Sequence, residues 1–299
     1  MSRRHLAMLF GLAALWGASF MFIKIGDREL QPITLVGFRM ALGALTLVPI
    51  VLLTVGARQT ARELRGAAGP LVVTGLLNSA IPIFAISWAE TRLDSGLTAI
   101  IQASAPLFTA LLALRFSQDQ RVGGSRLAGL VVGFAGVALL VGGRPSGQIV
   151  AALAVVFSAL CYAAAGLYAG KRLRGVSPLV TALGTLTAAT LATLPIGLFQ
   201  LPSHMTSLKV TASVLTLGIA GTGLAYILYY GLISGAGASR AILITYLVPT
   251  FAVFYGAVLL GEPVTAAAVG GLALVLAGVG LGTGAVRLGR ARRIASSET

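Results

Sequence analysis

Three polar residues stand four positions ahead of a proline inside long apolar runs: Asn78 before Pro82, Gln102 before Pro106 and Thr245 before Pro249. A proline inside a helix has no N–H for the carbonyl four residues back, and it bends the helix there. Each site therefore combines a freed carbonyl with a polar side chain in apolar surroundings. The chemistry this equips is hydrogen bonding to a small polar solute, with Pro82, Pro106 and Pro249 as hinges or kinks. The plainer reading is that each side chain satisfies that backbone or a neighbouring helix.

Helical spacing adds further candidates. Trp16, Ser19, Phe20 and Ile23 fall on one face, although Ile23 can only pack. Ser95, Thr98, Gln102 and Thr109 form a polar stripe, and Ser158 shares a face with Tyr162. Thr222, Tyr226 and Tyr229 line up, with Tyr230 beside them. Aromatic rings with a polar handle suit solutes that are partly apolar. The candidate substrate-binding set is thus Trp16, Ser19, Phe20, Asn78, Gln102, Ser158, Tyr162, Tyr226, Thr245 and Tyr246. Tyr229 and Tyr230 are assigned to the aromatic belt at a membrane interface.

Catalytic chemistry is poorly provided for. His5 lies at the edge of an apolar run and His204 in a loop, so no Ser–His pair is in place, and no acidic dyad or metal-ligand spacing appears. Cys161 is the single cysteine and reads as a small buried apolar residue. No cofactor, metal or catalytic residue is expected. Arg39 is the one charge well inside an apolar run, about two turns of 5.4 Å from its end. It is expected to anchor the helix by snorkelling or by binding a carbonyl, with contact to the substrate as the alternative. Lys24, Glu90 and Glu262 are placed at the membrane interface.

The elements that must carry these residues follow from composition. Hydrophobic residues make up 57% of the 299 and charged residues 10%, against about 25% charged in a soluble domain. The mean hydropathy is +0.94. The bilayer is the solvent that fits, and runs of about 20 apolar residues are transmembrane helices rather than barrel strands. Ten spans are predicted, at about 5–25, 32–54, 69–90, 95–115, 126–143, 148–170, 178–200, 208–233, 237–260 and 264–286. Between the last two, Gly261 ends one helix and Pro263 opens the next, whose dipole Glu262 complements.

The net charge of +14 reads as membrane orientation rather than nucleic-acid binding, because the basic residues sit in short loops and tails. With both termini cytoplasmic, sixteen of the 22 Lys and Arg lie inside, five outside, and Arg39 within a span.

The halves repeat one another. ALWGASFMFIK at 14–24 resembles ALCYAAAGLYAGK at 159–171, and Pro106 aligns with Pro249 in two matching spans. Gly129, Gly136 and Gly142 recur as Gly271, Gly278 and Gly284, a ladder that lets helices approach closely within one chain or across a dimer. Five spans per repeat make the second half inverted, as in many secondary transporters. The expected division is 1–145, 146–286 and a basic cytoplasmic tail at 287–299.

These stretches, with GFRMALGAL around Arg39 and GEPVTAAAVGGLALVLAGVGL at 261–281, resemble the EamA family of the drug/metabolite transporter superfamily over nearly the whole chain. The resemblance implies a ten-helix inner-membrane exporter of amino acids, aromatic ones among them, or related metabolites. One departure is that the fourth span ends in Phe116-Ser117-Gln118-Asp119 rather than in the Gly-Glu pair the family often repeats there. The expected function is export of small, neutral or zwitterionic metabolites by alternating access around a central cavity. With no acidic residue near mid-span, facilitated transport is expected, and a proton-coupled efflux carrier is the alternative. A sugar-phosphate or nucleotide-sugar carrier would need basic clamps, and an enzyme or scaffold has little to speak for it. The expected partners are a small-molecule substrate and the lipid bilayer, not nucleic acid, with the chain monomeric or homodimeric.

Overall fold

The computed structural model describes residues 2–116, 124–142, 145–237, 241 and 243–282. Ser117–Asp119, Gly284 and the tail at 287–299 lie outside them. The described residues form helices and connections, with no strand among them.

Helix α1 (Arg3–Gly26) starts at Ser2, whose hydroxyl accepts from His5 N, and α2 (Pro32–Thr54) starts with proline at its first position. A ten-residue helix not anticipated from the sequence, α3 (Ala57–Gly66), follows. The third apolar run is α4 (Ala68–Gly75) and α5 (Ile81–Glu90), joined by a π turn at Leu76–Ala80. The fourth breaks at Ala103–Ser104 into α6 (Ser95–Gln102) and α7 (Ala105–Phe116). Then come α8 (Gly124–Val141), α9 (Ser146–Arg172) and α10 (Pro178–Leu198). The next run is again split by a π turn, Ile219–Leu224, between α11 (Leu208–Gly218) and α12 (Ala225–Ala236). The last two are α13 (Ile244–Leu260) and α14 (Ala266–Gly282). Among the described residues, seven helical spans are long and apolar enough to cross a membrane, and three shorter apolar helices accompany them. The outward faces stay apolar, with Leu53, Leu191 and Leu208 exposed, as lipid contact requires.

Packing pairs the two halves. α2 lies along α10 and α8 along α14, while α1 packs on α12 and α13 as α9 packs on α5 and α7. These pairs map onto one another when the first five apolar runs are exchanged for the second five. Glycine sets the closest seam: a methyl at Gly129 would strike the backbone of Gly282, and one at Gly278 that of Gly133. The ladder thus packs α8 on α14 within the chain.

The end of α13 corrects one expectation. Gly261 does end the helix, at φ +70° with Glu262 N donating to Gly256 O at 3.0 Å. However, α14 begins only at Ala266, after Thr265 accepts from Ala268 N at 3.1 Å. Glu262 serves a different helix. It accepts from Ser95 N at 2.8 Å, Ser95 Oγ at 2.8 Å and Gly96 N at 3.1 Å, so it caps α6. Its neighbours Lys24 and Glu90 stand near the ends of α1 and α5. Lys24 Nζ donates to Glu90 O at 2.5 Å and Leu93 O at 2.7 Å, and Glu90 is fully buried. Together these groups tie α1, α5, α6 and the α13–α14 turn at one end of the bundle.

Candidate functional site: a cavity between the two halves

A cavity of about 690 Å³ lies among the helices, lined from both halves. Its volume falls within the usual range for small-molecule sites. The wall runs from Arg39 and Ile86 towards Ala113 in α7, Ile244 in α13 and Gly282 in α14. Those last three lie at the opposite end of the bundle from the ties made by Lys24 and Glu262.

Eight of the ten residues singled out in the sequence reach this wall: Trp16, Ser19, Phe20, Asn78, Gln102, Tyr162, Tyr226 and Thr245. Pro106 and Pro249 are there as well. Asn78 sits in the first π turn and donates through Nδ2 to Tyr226 Oη at 3.3 Å, joining α12 to the third apolar run. Gln102 ends α6 at the break, four residues before Pro106, and its side-chain oxygen Oε1 is buried with no hydrogen-bond partner. Pro106 itself falls in the first turn of α7, where a missing N–H is tolerated.

Two of the ten stay off the wall. Ser158 shares a face with Tyr162, but the long phenol reaches the cavity while the short serine remains fully buried in the bundle. Tyr246 follows Thr245 by one residue, a turn of about 100° around the helix, and packs into the apolar cluster around Val253 and Leu272. Pro82 also lies off the wall, buried in the first turn of α5 directly after the π turn. The polar stripe on the fourth run divides likewise. Gln102 and Thr109 line the cavity, whereas Ser95 binds Glu262 and Thr98 donates to Asp94 O at 3.0 Å.

Three wall residues carry more than the sequence assigned them. Tyr229, placed in an interfacial belt, lines the cavity with its ring 5.4 Å from that of Trp16. Its spacing from Thr222 and Tyr226 was the signal for this. Arg39 does not snorkel: it is 8% exposed, lines the cavity and donates from Nε to Thr222 Oγ1 at 3.0 Å. Thr222 donates onward to Leu217 O, five residues back, at 2.9 Å. A hydroxyl can meet a carbonyl at that spacing because the backbone there is a π turn.

Fold and cavity together define a polytopic helical membrane protein with an internal cavity between its halves. The model of the EamA-like transporter family matches residues 4–142 and 149–283, and the chain belongs to that family of transporters. A transporter of Archaeoglobus fulgidus is 28% identical over 88% of this chain and 93% of its own length. The Escherichia coli inner membrane transporter YedA is 27% identical, over 85% of this chain and 82% of its own. A Salmonella typhimurium protein named "Probable amino-acid metabolite efflux pump" is 26% identical, over 98% and 99%. One solved crystal structure superposes with a TM-score of 0.68 over 94% of this chain and 98% of the other, at 19% identity, which shows a common fold.

Proposed function

We propose that the protein is an inner-membrane exporter of small metabolites, amino acids foremost, working by alternating access. The observation that carries this reading is the cavity itself, where Trp16, Tyr226 and Tyr229 supply apolar area and Asn78, Gln102 and Thr245 supply hydrogen bonds. Such a mixture suits a solute with a polar backbone and a variable side chain. The naming of the Salmonella relative is in keeping with it. In this reading the apolar helices form ten spans in two inverted repeats, 1–145 and 146–286. The charge asymmetry puts both termini in the cytoplasm. The tied end then faces out, the cavity communicates with the inside, and the arrangement is inward-facing.

Facilitated transport down the product's own gradient is the simpler mode, because the wall holds no carboxylate among the described residues. One observation favours proton coupling instead. Asp27 and Glu90 lie close to Lys24 at the tied end, where Ser87 Oγ donates to both oxygens of Asp27, at 2.7 and 2.9 Å. Both carboxylate oxygens of Glu90 are buried without a partner. Counterflow of labelled phenylalanine, leucine and threonine in proteoliposomes tests the proposal, with and without a proton gradient. Uptake no greater than in protein-free liposomes would remove it, and uphill accumulation abolished by an uncoupler would replace facilitation with coupling.

A further inference from the structure

The guanidinium of Arg39 is the one charged group in the cavity wall among the described residues. It stands in α2 and is held from behind, with Nε donating to Thr222 Oγ1. Thr222 is itself fixed by its bond to Leu217 O. A side chain kept only to brace the helices would spend its whole fork on carbonyls or on a carboxylate. Here Nε alone is bound, and Arg39 makes no ion pair among the described residues.

A buried charge without a counter-ion is strongly disfavoured, the more so within a membrane-spanning helix. The bundle could have removed that cost with an acid on a neighbouring helix. Glu90 is buried and near, yet it forms no hydrogen bond with Arg39. The planar fork therefore keeps its terminal N–H groups for something that is not part of the chain. Their geometry matches two oxygens of one planar anion.

We propose that Arg39 is the anion anchor of the transport site and that the cargo carries a carboxylate. The inference rests on the carrier reading of the cavity and narrows it, from neutral or zwitterionic metabolites in general to carboxylate-bearing ones. A single fixed positive charge balances a single negative one. A phosphate monoester would ask for a second cation that the wall does not hold among the described residues. Beyond the anchor, the amide of Gln102 on the same wall offers a hydrogen bond to a second polar group of the solute. The rings of Trp16, Tyr226 and Tyr229 receive its apolar part or, face-on, its cation. Thr222 is a positioning residue: it aims the guanidinium and has no need to touch the cargo.

The test uses two probes that differ only in the charged group, benzoate and benzamide. The chain has two tryptophans, so Trp88→Phe leaves Trp16, on the cavity wall, as the sole reporter. In the purified full-length protein, benzoate should shift Trp16 emission saturably, and benzamide should bind at least about tenfold more weakly. Arg39→Gln should erase that preference. Arg39→Lys keeps the charge without the fork and should retain only part of it. Thr222→Val should weaken benzoate more than benzamide and so shrink the preference between them. Equal binding of the two probes, or no saturable benzoate signal, overturns the proposal without recourse to any Arg39 variant. Transport separates it from the carrier reading. Amino-acid counterflow with equal uptake of the amino-acid amides keeps the carrier and removes the anchor. Benzoate binding without counterflow of any amino acid keeps the anchor and removes the carrier.

Discussion

Glu262, in the turn after α13, holds both the main-chain N–H and the hydroxyl of Ser95, each at 2.8 Å, although the two residues belong to opposite halves of the chain. A carboxylate on the first turn of a helix meets unpaired N–H groups and the positive end of the helix dipole. With Lys24 on the carbonyls of Glu90 and Leu93, this contact ties together the end of the bundle away from Ala113 and Gly282. Glu262→Ala should therefore destabilise the arrangement by about 1–2 kcal/mol, and Glu262→Gln by less. The readout is labelling of a cysteine at Ala99 in a Cys161→Ala background. Ala99 lies on the cavity wall and is 2% exposed. An impermeant maleimide applied from the tied side should label it in the Glu262→Ala and Lys24→Ala proteins and spare it in the parent.

Transport kinetics should sort wall residues from packing residues. Trp16→Ala should raise KM about three- to tenfold, the loss expected for an aromatic contact of about 0.5–1.5 kcal/mol. Gln102→Ala should cost a comparable factor through a lost hydrogen bond. Ser158→Ala and Tyr246→Phe should leave KM within about twofold, on the scale of substitutions away from a site. A KM change at Ser158 as large as that at Trp16 would mean the wall has been drawn in the wrong place.

Glycines should divide by what their missing side chain makes room for. Gly278→Val drives side-chain atoms into the backbone of Gly133 and should cost upwards of about 3 kcal/mol, at the severe end of overpacking. Size-exclusion profiles after detergent extraction should show loss of the monodisperse protein. At Gly270 a notional methyl would meet Leu139 Cδ2 at an ordinary contact distance of 3.9 Å. Gly270→Ala should be recovered as well as the parent.

Asp27 lies just beyond the end of α1, and burial pushes its carboxyl up to about 7, against the opposing pull of Ser87 and Lys24. The folded state thus holds a proton that the unfolded chain releases near its ordinary value of 3.8. The resulting stabilisation is complete below that value and fades as pH rises towards about 7. Melting temperatures of Asp27→Asn and of the parent, measured across this range, should differ in slope. The parent should lose stability relative to the variant as pH rises and then run parallel above about 7. Identical slopes would show that Asp27 ionises freely.

What the sequence made legible was whatever depends on period and composition. Helix α2 begins and ends at the predicted residues because Pro32 fixes its start and the apolar run fixes its length. Most of the polar and aromatic part of the wall could be named in advance, since residues such as Trp16, Gln102 and Tyr226 are polar or amphipathic groups in apolar runs. What escaped was direction. Arg39 and Tyr229 lie close enough to span ends for an interfacial placement to be reasonable, and only the packed partners, Thr222 and Trp16, turn them inward. Glu262 was assigned to its own next helix because sequence distance is visible and spatial distance is not; its caps lie more than 160 residues away. The π turns leave no periodic trace at all, since each inserts a single extra residue into an otherwise apolar run.

Those two wide turns, Leu76–Ala80 and Ile219–Leu224, fall in corresponding runs of the two halves. A turn of this kind stores one residue of slack. If the slack moves a single position along its helix, only the residue it passes swivels, by about 100°, while the segments on either side stay hydrogen-bonded. Asn78 and Thr222 ride on that slack, so one hydrogen-bonding group of the wall and the brace that aims Arg39 both sit where a helix can re-register without moving its ends.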